Sequence, residues 1–226
     1  MSLTSVAAFD HEEISLFGLA CLPGVDELVA MTSKNIDLDG IRVHSLECGD
    51  PAGIPVVLLH GMKFQAATWQ ELGTLDFLSG LGLHVFAVDM PGFGQSPVCG
   101  CEPVEVLLRF VTRLGLDRVV LIGPSMGGRI ALEFGIQYPE RLAGLILAGA
   151  VGVEENRNGL ARIAVPTLIV WGAEDQVAPL ASSDILLTGI PHAQREIFLD
   201  APHPCYLAQP DQWHANLQIF FSSLIP

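Results

Sequence analysis

The sequence predicts a doubly wound α/β fold, a mostly parallel sheet with helices on both faces, on three observations. Short apolar runs rich in β-branched residues recur along the chain, each closed by Gly, Pro, Asp or His. Segments of helical periodicity fill the gaps between them. Half of the 226 residues are hydrophobic and 16% are charged, which supplies one large core and argues against disorder. Strands that are apolar on both faces need cover on both sides, the condition of a parallel sheet. Strand alternating with helix then implies right-handed crossovers.

Taken in order, residues 1–33 show no clear period and contain Pro23 and Gly24; they read as an N-terminal extension with a short helix near 26–31. A single domain over 34–226 follows. Ile36 and Leu38 alternate before Asp39-Gly40, and Ile41 and Val43 after it. Asp-Gly reaches the positive φ angles of a two-residue turn, so this segment reads as a β-hairpin. Further strands are expected at 56–59, 85–88, 119–122, 145–147, 167–170 and 196–199. Helices are expected at 69–78, 103–114, 126–138, 180–188 and 212–224. No repeat, low-complexity tract or second domain boundary interrupts this alternation.

Eleven Lys and Arg stand against 25 Asp and Glu, a net charge of −14, which disfavours nucleic acid or an anionic membrane as partner. Five cysteines at irregular spacing, in a chain large enough to fold without staples, fit a reducing compartment. The expected location is the cytoplasm, with the nucleus as an alternative, and the expected state a monomer. No Lys or Arg precedes Lys34, and the apolar stretch 14–30 is broken by Pro23 and Asp26, so neither a secretory signal nor a transit peptide is expected. No segment reaches the ~18 apolar residues of a membrane span.

Chemistry concentrates at strand ends. Gly123-Pro124-Ser125-Met126-Gly127 stands between a strand and a helix, the setting in which a serine is thrust out on a strained turn and flanking glycines let backbone approach. Such a hydroxyl needs a base. His203 follows the 196–199 strand in a loop, and Asp175 follows the 167–170 strand, giving the order Ser, Asp, His. Glu174, Glu154, Glu155 and Asp200 compete for the acid's place. His60-Gly61-Met62-Lys63 follows the 56–59 strand, where the N–H groups of Met62 and Met126 would form an oxyanion hole. His60 is expected to prop up that loop, while His11, His44, His84, His192 and His214 are read as structural. Lys63 beside the hole could attract an anionic group, although a solvated lysine is the simpler reading. The Gly-rich turn from Asp89 to Ser96 fits neither a Walker loop nor a dinucleotide fingerprint and is read as structural. Cys99-Gly100-Cys101 alone cannot build a four-ligand metal site.

Taken together, His60-Gly61, Asp89-x-Pro91-Gly92-x-Gly94-x-Ser96, Gly123-x-Ser125-x-Gly127, Asp175 and His203 resemble the α/β-hydrolase superfamily over roughly residues 35–224. His60 to Phe64 with Thr68-Trp69, and His203 to Leu207 with Pro210, Trp213 and His214, resemble the small α/β-hydrolase domain-containing protein 14B group. The resemblance implies an α/β-hydrolase fold and a serine hydrolase of the carboxylesterase type. It would cleave small acetyl-type esters through an acyl-enzyme, with no required cofactor. It also implies a deacetylase-like activity toward an acylated protein, with coenzyme A as a candidate acyl acceptor. Lys63, Phe64, Trp69 and Cys205 are then expected at the substrate. Gly123 and Gly127 depart from the group's elbow, which carries serines there. Only a short connector lies between Gly152 and Pro166, where larger hydrolases insert a cap, so no cap domain is expected. The alternatives are a non-enzymatic binding module on the same fold, and a cofactor-free lyase or C–C hydrolase.

Overall fold

The computed structural model describes residues 29–224. Two strands open the fold, β1 (Val29–Leu38) and β2 (Ile41–Gly49), joined by Asp39 and Gly40 at φ 57° and 90°. Both positive angles belong to a turn whose twist matches that of the strands it joins. Next come β3 (Pro55–Leu58), α1 (Ala66–Glu71), α2 (Thr74–Gly80), β4 (His84–Val88) and α3 (Pro103–Arg113). They are followed by β5 (Val119–Pro124), α4 (Ser125–Gln137), β6 (Leu142–Ala148), α5 (Val153–Asn156) and β7 (Thr167–Gly172). The chain closes with α6 (Ala181–Gly189), β8 (Ala193–Phe198), α7 (Cys205–Ala208) and α8 (Pro210–Leu224).

All eight strands form one sheet in the order β1-β2-β4-β3-β5-β6-β7-β8. β1, β2 and β4 pair antiparallel, and every pairing from β4 through β3 to β8 is parallel. Alternate residues of each strand feed two cores. Val57, Phe86, Val88 and Leu121 face one side with Phe110 of α3, Phe134 of α4 and Leu186 of α6. Val56, Leu58, Val85 and Ile122 face the other with Trp69 of α1, Leu75 of α2, Tyr206 of α7 and Trp213 of α8. A sheet covered on both faces explains strands without polar alternation.

Three expectations are corrected. The helix expected at 69–78 is two helices, because Gly73 adopts φ 77° ahead of α2. β8 begins at Ala193, earlier than expected, since its half-exposed residues carry no continuous apolar run. The helix expected near 26–31 is strand from Val29 onward, and the rest of that expectation lies outside the described residues, as does most of the 1–33 extension. Among the described residues no helix is long and apolar enough to cross a membrane.

Candidate active site

Strand order reverses between β3 and β5, and loops leaving the carboxyl ends of strands on either side of such a point enclose a crevice. A cavity of about 380 Å³ opens there, lined by residues that follow β3, β5, β6, β7 and β8. β5 passes into α4 at Ser125, which sits at φ 50°. That left-handed conformation costs a non-glycine residue on the order of 1–3 kcal/mol and holds the side chain proud of the turn. A Cβ on Gly123 would lie 2.3 Å from the Gly127 carbonyl oxygen, and one on Gly127 would lie 2.8 Å from that of His60. Glycine at both places lets α4 close onto β5 and onto the loop after β3. The Val151 N–H secures the turn by donating to the Ser125 carbonyl at 3.2 Å.

His203 and Asp175 meet Ser125 from other strands. His203 Nε2 lies 2.9 Å from Ser125 Oγ, and His203 Nδ1 lies 2.8 Å from Asp175 Oδ2. The second oxygen of Asp175 accepts the Val177 and Ala178 N–H groups, each at 2.8 Å, which locks the carboxylate in its own turn. An ionised carboxylate only accepts, so Nδ1 carries the imidazole proton and Nε2 is free to accept from the serine hydroxyl. The Asp175 side chain is fully buried and that of His203 is 17% exposed, so the acid is dry and the base borders solvent. Among the carboxylates that the sequence left in competition, it is Asp175 that meets His203. Gly149 makes room for the pair, since a Cβ there would lie 3.0 Å from Asp175 Oδ2 and 3.3 Å from His203 Nδ1.

The loop after β3 is braced from below. Buried His60 donates from Nδ1 to the Gly61 carbonyl at 2.8 Å and accepts the Met90 N–H on Nε2 at 3.1 Å. Burial pushes its pKa down, in keeping with a neutral ring that supports rather than titrates. Asp89 accepts the Ala66 N–H on one oxygen at 2.6 Å, and on the other His44 Nδ1 at 2.7 Å and the Gln95 N–H at 2.9 Å. Ser96 Oγ donates to the Asp89 carbonyl at 2.6 Å and accepts the His44 N–H at 2.9 Å. The Gly-rich turn is thus knotted to β2 and to the start of α1. Above this support, a Cβ on Gly61 would lie 3.6 Å from Ser125 Cβ, so the 61–62 backbone runs against the serine.

Met62, Lys63, Phe64 and Met126 line the cavity with Ser125 and His203. Trp69 and Cys205, expected at the substrate, do not. Trp69 is buried, donates Nε1–H to the Leu59 carbonyl at 3.1 Å and stacks on Tyr206 with ring centres 5.1 Å apart. Its bulk and its one donor are both satisfied in the core. Cys205 opens α7 with no exposed surface, and burial pushes its thiol up to about 12. Sequence reasoning missed the apolar wall of Ala148, Val151 and Val177, and reached Tyr206 only through the resemblance. Val177 stands two residues after Asp175 and Tyr206 three after His203; following each strand-end loop a few residues further would have found them.

A sequence model of the alpha/beta hydrolase fold matches residues 54–161. ABHD14B of Rattus norvegicus, which carries the provisional description protein-lysine deacylase, is 36% identical over 185 residues, 78% of this chain and 87% of the relative. ABHD14A of Mus musculus is 34% identical over 175 residues, 75% of this chain and 70% of the relative. Among solved structures, a CIB-like hydrolase of Thermoplasma acidophilum, so named by prediction, superposes with a TM-score of 0.82 at 28% identity, over 85% of this chain and 98% of that one.

Proposed function

The chain belongs to the α/β-hydrolase family, in its ABHD14 group, and on that footing we propose that it is a serine hydrolase of small acyl groups. Ser125 Oγ attacks the acyl carbonyl while His203 Nε2 takes its proton, and the buried Asp175 carboxylate balances the imidazolium that results. The N–H groups of Met62 and Met126 receive the charge developing on the carbonyl oxygen; losing one such donor typically costs about 3–4 kcal/mol of barrier. His203 returns the proton to the leaving group, which departs and leaves Ser125 acylated. Water, or a thiol or amine acceptor, then clears the acyl-enzyme by the same steps in reverse.

The observation that carries this reading is the unbroken chain from Ser125 through His203 to Asp175, at 2.9 and 2.8 Å, beginning on a residue at φ 50° in a cavity wall. A cavity of about 380 Å³ favours short acyl groups, or an acyl group presented on a larger molecule. The rat relative's description favours an acylated lysine as one such presentation and deacylation as the outcome. Coenzyme A enters as an acyl acceptor, without being required for ester cleavage. Free Cys48, Cys99, Cys101 and Cys205 support work in a reducing compartment such as the cytoplasm.

The test is turnover of p-nitrophenyl acetate by the whole protein and by Ser125→Ala, with a fluorophosphonate probe read by mass spectrometry. Loss of at least ~10³-fold in the variant and an adduct on Ser125 are expected. Undiminished turnover in the variant refutes the assignment. Faster release of product when coenzyme A is added, with formation of acyl-coenzyme A, would identify the acceptor.

A further inference from the structure

The serine-hydrolase reading leaves open which acyl groups the cavity prefers, and one side chain in its wall bears on that. Among the described residues the lining is apolar over Met62, Phe64, Met126, Val151 and Val177 and contains no Asp or Glu. Lys63 is the ammonium among the described lining residues, and it is exposed. Of the other ten cations five stand in ion pairs, while Arg42, Arg113 and Arg162 stand in none among the described residues. Lys34 pairs with Glu47, Arg109 with Glu105, Arg129 with Glu133, Arg157 with Glu154 and Arg195 with Asp184. Arg118 and Arg141 donate to the Leu142 and Leu116 carbonyls. Among the described residues no carboxylate stands within ion-pair distance of Lys63. A protein of net charge −14 therefore presents, at the wall of this cavity, a positive charge that no described carboxylate pairs with.

We propose that Lys63 makes the site selective for acyl groups that carry a carboxylate two to four carbons beyond the reacting carbonyl, the half-esters, half-thioesters and half-amides of short dicarboxylic acids. The proposal rests on the serine-hydrolase reading and on the place of Lys63 in the chain. Lys63 follows Met62, whose N–H would hold the carbonyl oxygen, and consecutive Cα atoms are about 3.8 Å apart. A four-carbon stem rooted there sweeps the space immediately beside the carbonyl. An anion on a short acyl tail falls within that sweep. The phosphates of coenzyme A, a whole pantetheine arm away from the thioester, fall outside it. Lys63 is exposed, which holds such a contact to the strength of a surface ion pair, so a preference of about twofold to fivefold is expected.

The experiment compares the p-nitrophenyl monoester of glutaric acid with its methyl-capped neutral counterpart, the rate with Ser125→Ala protein being subtracted to remove intramolecular hydrolysis. The whole protein should favour the charged ester in kcat/KM by about twofold to fivefold. Raising the salt concentration should narrow the preference. Lys63→Met should bring the ratio to about one or below, and Lys63→Arg should keep it. A ratio of one in the whole protein, or a ratio that survives in Lys63→Met, overturns the proposal. An acetyl ester of 3-hydroxy-4-nitrobenzoate places the anion on the leaving group; if the lysine-dependent preference lies there and not on the glutaryl ester, the acyl-side assignment falls. Turnover of p-nitrophenyl acetate separates the two levels of argument. Acetate cleavage with no charge preference overturns this inference alone, and absence of all cleavage overturns the parent reading with it.

Discussion

Replacing Asp89 by alanine removes one buried carboxylate and strands three donors: the Ala66 N–H, the Gln95 N–H and His44 Nδ1–H. Asp89 is 2% exposed and His44 likewise, and Ala66 is fully buried, so two of the three donors have no ready route to water. A buried donor left unpaired costs about 1–3 kcal/mol, and Gln95, near the surface, recovers most of its loss by hydration. The expected destabilisation is therefore about 4 kcal/mol, large for a single substitution. Urea denaturation followed by tryptophan fluorescence reads it; with a slope of ~2 kcal/mol per molar, the midpoint should fall by roughly 2 M. Asp89→Asn keeps an acceptor for one donor and turns an amide N–H toward another, so it should lose about half as much. Ala66 begins α1 directly after the loop that carries Met62, so the surviving folded fraction of either variant should lose kcat more than it gains KM. A loss below about 1 kcal/mol in Asp89→Ala would refute the claim that this carboxylate knots the loop to β2.

Two further outcomes follow from the perturbed groups. His60, pushed below its ordinary value of 6.5 by burial, binds a proton in the unfolded chain before it does so in the folded one. It therefore contributes a stability that falls, by up to about 1.4 kcal/mol per pH unit, as the pH drops below 6.5; imidazole NMR should show His60 titrating below that value, and titration above it would refute the buried, neutral ring. Cys48 and Cys205, pushed up by burial to about 11 and about 12, should resist iodoacetamide in the native protein at pH 8, while the loop thiols of Cys99 and Cys101 react. Peptide mass spectrometry that finds Cys205 alkylated as fast as Cys99 would count against its burial.

What could be read before the fold was seen was local. The elbow announces itself because a steric demand within five consecutive residues selects small side chains around Ser125, and strand and helix patterns on either side supply its context. Asp175 and His203 are legible through strand-end loops, a rule of topology rather than of contact. The Asp89 knot was not legible, for it joins residues from β2, α1 and the Gly-rich turn that nothing in their spacing connects. His44 looked structural and is; its partners emerge only when β2 lies beside β4. Trp69 and Cys205 misled for the same reason, since an aromatic or a thiol near a reactive loop can face either the cavity or the core behind it. The break at Gly73 was overlooked because apolar periodicity runs through it, while the backbone angle that ends α1 leaves no mark on that pattern.

The chain passes from Ala148 to Thr167 through α5 and a 3₁₀ segment whose Val153 and Leu160 are buried, and so spends its connector on packing. Those residues supply no separate cap between β6 and β7. On the proposed mechanism, discrimination by the described residues would rest with the cavity walls, and the competition among nucleophiles for an acyl-enzyme would be set by their concentration and reactivity. Whether a catalyst of the proposed kind hydrolyses or transfers would then be a property of the surrounding solution as much as of the polypeptide.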